Sequence, residues 1–218
     1  MKTKPATALF NECLPDAFIV LGRQLKPFCL GHYLLLKKFG CAFVQDIEQA
    51  STIKDLVLAV WVCSQDYAAA IRKIEADKPI GWREKLILLI LAAARKIRLR
   101  DAVGLCKLTQ IGYECLLWGL AIGPEKLNDE AKQFIEYLDY HTATPSYWIK
   151  EESMKRSSGA HWAHALQHTL MTEMNYTEAE VLRMPLQIAL LHYYRIAEAN
   201  GLLELMTPEE FDEVTHDN

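Results

Sequence analysis

His161, His164 and His168 are the residues whose type and spacing come nearest to a metal site. On a helix of 3.6 residues per turn they fall within about 60° of one another. His164 and His168, four apart, can offer two imidazoles to one ion. A catalytic metal centre would need further ligands and a base. Glu173 falls on another face, and His141 or His192 would have to arrive from elsewhere in the chain. The three histidines also lie opposite an apolar stripe of Ala163, Leu166, Leu170 and Met174. They therefore read first as a polar face toward solvent or a partner, with the metal site as the alternative.

Other chemistry is sparse. There is no Gly-rich phosphate loop, no GxSxG elbow and no HExxH pair. The expectation is a protein that is not an enzyme and carries no cofactor. The six cysteines, Cys13, Cys29, Cys41, Cys63, Cys106 and Cys115, have no CxxC spacing and sit mostly in apolar segments, as reduced buried thiols would. Residues 78–100 carry seven basic side chains against Glu84, whereas residues 178–218 carry nine carboxylates against Arg183 and Arg195. Arg95, Lys96, Arg98 and Arg100 are the candidates for a helical nucleic-acid-binding regulator, an alternative that the net charge of −4 disfavours. Solvated faces, and basic residues at a helix C-terminus, account for the same charges.

The elements that must hold these residues are helical. About half of the 218 residues are apolar and a quarter charged, the balance of a globular protein with a sizeable core. The longest strongly apolar run, Leu86 to Ala94, is far short of the roughly 20 residues that span a bilayer. With no signal-peptide core at the N-terminus, a cytoplasmic protein with no membrane contact is expected. The pattern predicts an all-α, irregular bundle of about seven to nine helices with no substantial sheet. Phe18 to Leu21 is the best strand candidate, but with no second strand to form a ladder an extended segment or a helix end is expected there. Helices are expected over Phe28 to Phe39 after Pro27, closed by Gly40, and from Ile53 after Ser51, apolar nearly all round and so buried. Further helices are expected from Asp66 to about Ala76, over Trp82 to Ile97, from Asp101 to about Leu120, and after an Asn128 cap with Ala131, Phe134, Ile135 and Leu138 inward.

Residues 151–160 are polar and small, a candidate linker between an N-terminal bundle (1–150) and a C-terminal helical unit with an acidic tail (161–218), although both could pack as one domain. Within the second unit, Thr177 and Glu180 have capping-box spacing. Pro185 should start the final helix at a bend, and Asn200-Gly201 should stop it. Replacing Pro185 by alanine would then permit one helix from Glu178 to Ala199. The tail should fray beyond Phe211.

The run Leu170-Met171, Tyr176, Val181-Leu182, Met184-Pro185-Leu186 and Ala189, closing on Ala197-Glu198-Ala199-Asn200-Gly201, resembles the C-terminal part of small α-helical tail-assembly chaperones of phages and prophages. Leu25-Lys26-Pro27-Phe28, Leu30-Gly31-His32 and Leu34-Leu35-Leu36 are similar to an N-terminal segment of such proteins. The resemblance implies a non-enzymatic factor that binds tape-measure or tail-tube protein during assembly, in the host cytoplasm. Tyr176, Met184, Pro185, Tyr193 and Tyr194 are the candidate partner-binding residues. Core packing with a polar tip at the rim is the competing account of the aromatic pairs.

Overall fold

A computed structural model describes residues 18–45, 52–94, 109–121, 124–150 and 161–216. Among these residues the chain forms ten α-helices and two small antiparallel ladders. The all-α expectation holds. The first ladder pairs β1 (Ile19–Val20) with β2 (Arg23–Gln24). This corrects the expected extended segment or helix end: the ladder partner is the next two-residue strand along the chain. Leu21 and Gly22 both take positive φ, 53° and 71°, the backbone twist that a two-residue hairpin turn requires. The Leu21 amide donates to the Glu130 carboxylate, which offsets the cost of a left-handed leucine.

Helix α1 (Leu30–Lys38) starts later than Pro27 suggested, with Cys29 as its N-cap, and Gly40 closes it at φ 68°. Helix α2 (Ile53–Cys63) is capped by Thr52, whose hydroxyl accepts from the Asp55 amide while the Asp55 carboxylate takes the Thr52 amide. Its Leu56, Val57, Val60, Trp61 and Val62 are all buried, as an all-round apolar helix demands. Helix α3 (Tyr67–Glu75) follows directly, then α4 (Trp82–Ala94) and α5 (Gln110–Ala121). The expected continuation of α4 to Ile97 and the start at Asp101 lie outside the described residues, as do Ser51 and the candidate linker 151–160.

Helix α6 (Pro124–Thr142) corrects two expectations. Pro124 occupies its first position, where a missing amide costs nothing, so Asn128 lies inside the helix and does not cap it. The inward face runs through Phe134, Tyr137, Leu138 and His141, while Ile135 is exposed. After α6 come β3 (Tyr147–Ile149), α7 (Trp162–Glu173), α8 (Glu178–Arg183), α9 (Leu186–Ala199), β4 (Leu203–Leu205) and α10 (Pro208–His216). Strands β3 and β4 pair, Trp148 opposite Glu204. The expected fraying beyond Phe211 gives way to helix through His216. Thr207 and Glu210 cap its start reciprocally, at 2.7 and 3.3 Å.

The core places residues from both sides of 151–160 in one cluster. Phe28, Leu36, Trp61, Phe134 and Tyr137 pack with Leu166, Leu170, Val181 and Leu186. Helix α8 lies against α1, α3 and α7, and α9 lies against α6, α7 and β4. Gly31 makes the α1–α8 approach possible. A Cβ there would stand 2.5 Å from the Tyr67 ring and 2.7 Å from the Leu182 carbonyl oxygen.

Candidate functional site

The histidine stripe stays close, the His161 and His164 rings 6.2 Å apart and His164 and His168 along one groove, but it does not form a ligand set. His161 is the N-cap of α7, not a member of it, so its ring turns back toward α1. Its Nδ1 accepts from the Ala163 amide at 3.2 Å. Its Nε2 lies against Lys37 Nζ and 3.4 Å from the Tyr33 hydroxyl. Both ring nitrogens are thus engaged before any metal arrives. His164 and His168 are exposed. Among the described residues no group of three or more His, Cys, Asp or Glu is placed to hold a metal ion.

The five candidate partner-binding residues separate into three places. Tyr176 is half-buried with its ring 6.0 Å from that of His192. Met184 packs at the edge of the core, and Pro185 lines a cavity beside α3. Tyr193 faces a shallow groove along α7 with His164, His168 and Met171. Tyr194 stands between Tyr147 and Tyr193, ring centroids 5.0 and 5.7 Å away, and burial drives its phenol well above the usual range. Packing accounts for most of these rings, and no one surface collects all five. Arg95, Lys96, Arg98 and Arg100 lie outside the described residues.

The cysteines within the described residues, Cys29, Cys41, Cys63 and Cys115, are free thiols. Burial pushes Cys29, Cys41 and Cys115 up to about 11, and Cys63 well above its usual value. None is a ready thiolate at neutral pH.

Two features were not legible in the linear pattern. The first is the cavity of about 400 Å3 that Pro185 lines. An isolated β-bridge between Cys29 and Pro185, with the Leu186 amide donating to the Phe28 carbonyl at 2.7 Å, brings the end of α8 to the start of α1. The first turn of α3 forms the opposite wall. Lys26, Arg72, Arg183 and Asp66 line this space together with Cys29 and His32. His32 is buried, its Nε2 2.9 Å from the Gln65 carbonyl. Burial lowers its pKa to about 4, so the ring is neutral near pH 7. Its Nδ1 has no hydrogen-bond partner, the Cys29 sulfur included. A Cys–His nucleophile pair is therefore not assembled.

The second feature is the outer face of α4. Trp82, Leu86, Ile87 and Ile90 are 72, 50, 44 and 60 % exposed, and all project within one side of the helix. Arg83 covers part of the Trp82 ring, its guanidinium 5.4 Å from the centroid. Elsewhere among the described residues exposed large apolar side chains are more scattered along their elements.

No family model, no curated protein and no solved structure matches this chain. No described helix is long and apolar enough to cross a membrane.

Proposed function

We propose that this chain is a non-enzymatic protein-binding factor. In the specific form suggested by its likeness to phage tail-assembly chaperones, its partner is a tape-measure or tail-tube protein. The observation that carries the reading is the α4 face: four large apolar side chains exposed on one side of one helix. Contiguous apolar surface of this kind marks interaction sites in monomeric proteins. Tryptophan and arginine, here Trp82 and Arg83, are among the residue types enriched where binding energy concentrates.

The test is a titration of the protein with tape-measure and tail-tube proteins encoded beside it, using wild type and a Leu86→Glu/Ile90→Glu variant. Binding weakened by tenfold or more, with an unchanged melting temperature, is the expected result. Unchanged binding, or failure of both tail proteins to bind the wild type, rejects the tail-assembly form. A melting temperature that collapses in the variant assigns the face to the core and removes the support for any partner there.

A further inference from the structure

The exposed face of α4 is apolar with a cation inside it. Taking Trp82 as zero on a wheel of about 100° per residue, Leu86, Ile90, Arg83 and Ile87 follow at about 40°, 80°, 100° and 140°. Arg83 therefore stands within the apolar arc, not at its edge. Its guanidinium lies over the Trp82 ring, 5.4 Å from the centroid. Among the described residues it makes no ion pair and no side-chain hydrogen bond. Lys85 lies about 60° beyond Trp82, and exposed Lys78 precedes the helix, both likewise without a carboxylate partner. Glu84, the one acidic residue of α4, falls about 60° beyond Ile87, off the face.

Covering a cation in the middle of an apolar face is costly unless the cover brings a carboxylate to it. That condition separates the possible occupants. A two-fold contact with a second copy would lay the same arc on itself, and the arc holds Arg83 and no carboxylate. Residues 78–100 would also meet a stretch with the same excess of basic side chains. A lipid surface would draw the arc into acyl chains with the guanidinium in its middle, where an interfacial helix keeps its cations on the polar face. A protein segment can place a carboxylate at that one point. An extended segment would find no backbone partners on α4, because a helix bonds its own amides and carbonyls. A second helix arrives with its backbone already satisfied. Trp82, Leu86 and Ile90, four apart, form one ridge about 12 Å long, which fits the groove between side-chain rows of a facing helix.

We propose, on the protein-binding reading of this face, that α4 receives an acidic amphipathic helix of the partner. Apolar side chains at i, i+4 and i+7 of that helix pack on the Trp82–Leu86–Ile90 ridge, and a carboxylate beside the stripe pairs with Arg83 over the Trp82 ring. Once covered, the Arg83 pair is shielded from water, and a basic side chain in the same place meets like charge. Lys78 and Lys85, outside the contact, add attraction that salt screens.

Calorimetric titration of the full chain with two synthetic helices of about 18 residues tests this. Both carry leucine at i, i+4 and i+7; one has glutamate beside the stripe and the other lysine. At ~50 mM salt the glutamate helix should bind about tenfold or more tightly than the lysine helix, and at ~500 mM the gap should narrow. Arg83→Gln, at an exposed position, should cut that preference about threefold or more with the melting temperature unchanged. Leu86→Glu/Ile90→Glu should remove binding of both helices; if that variant fails to fold, the glutamate–lysine comparison and Arg83→Gln still decide. Equal affinity for the two helices, or a preference that Arg83→Gln leaves intact, overturns the acidic partner. Absence of binding by either helix overturns the helical occupant, even where a tail protein still binds through α4. A glutamate helix that binds while both tail proteins fail supports the proposal and rejects only the tail-assembly form. Sedimentation of the chain alone, and its flotation with vesicles of phosphatidylglycerol and phosphatidylcholine, read the other occupants. Self-association or vesicle binding that Leu86→Glu/Ile90→Glu removes overturns the proposal in favour of a second copy or a lipid surface.

Discussion

His32 and His141 are the residues whose chemistry depends most on the surrounding fold. Each is buried, with an unpartnered Nδ1. Burial, helped at His141 by the nearby His32, lowers both to about 4 from an ordinary 6.5. The sign of the consequence is fixed. Between those values the unfolded chain binds protons that the folded chain refuses, so stability is complete above pH ~6.5 and falls as the pH drops toward ~4. A shift of this size corresponds to roughly 3 kcal/mol per histidine at the acid end of the window. Urea unfolding at pH 7 and pH 4.5 should therefore differ by several kcal/mol, and His141→Leu should reduce the difference. A stability flat across that window would contradict the buried neutral assignment. The sequence offers His141 only as a distant ligand for the 161–168 stripe and gives His32 no chemical role. The eye is drawn to 161, 164 and 168 because they are close in the chain, whereas the environment of His32 is built by Gln65, Tyr67 and Pro185, which no local spacing connects to it.

Helix boundaries were legible where the signal is local. Thr177 and Glu180 form their capping box, and Gly201 stops α9 at φ 70°. Asn128 failed as a cap because Pro124 had already started the helix four residues earlier. The strand pairings failed for another reason. Ile19–Val20 and Tyr147–Ile149 are too short to carry an alternating pattern, and β3 finds its partner only beyond α9. Pro185 shows both sides. The bend is where the sequence put it, with Met184 at ψ 133° and Pro185 at ψ 132°, both extended, and the helix proper beginning at Leu186. Yet the bend does not rest on proline alone. The bridge to Cys29 and the Leu186 bond to Phe28 hold the same conformation from outside. Pro185→Ala should consequently keep the break, not merge α8 with α9. It should cost about 0.4–1 kcal/mol through the unfolded chain. Thr177→Ala, which removes a cap, should cost about 1 kcal/mol at no less than that level. A rise in helical circular dichroism of Pro185→Ala, as a merged helix would give, would contradict the external hold.

At the scale of the whole molecule the issue is whether 161–218 can stand without 1–150. Composition suggested a divide at 151–160, because polar small residues are what linkers contain. Composition cannot report what the flanking helices bury, and here they share one core. Leu166, Leu170, Val181 and Leu186 pack in the same cluster as Phe28, Leu36 and Phe134. Gln187 donates to the Tyr140 carbonyl, and β4 takes β3 as its only ladder partner among the described residues. A separated 161–218 loses all of these. Burying such a side chain is worth roughly 1.5–3 kcal/mol, so exposing half of that surface on four of them removes roughly 3–6 kcal/mol. A folded domain has only about 5–15 kcal/mol in total. The helices cannot compensate by themselves: α7, α8 and α9 have 12, 6 and 14 residues, and isolated helices shorter than about 12–15 residues are marginal in water. The full chain should therefore unfold with one transition that carries the signals of both parts. The 161–218 fragment should show weak helical circular dichroism with no cooperative melt, and regain it only when 1–150 is added. A fragment that melts cooperatively near the temperature of the full chain would mean that the shared core is an interface between two independently stable units.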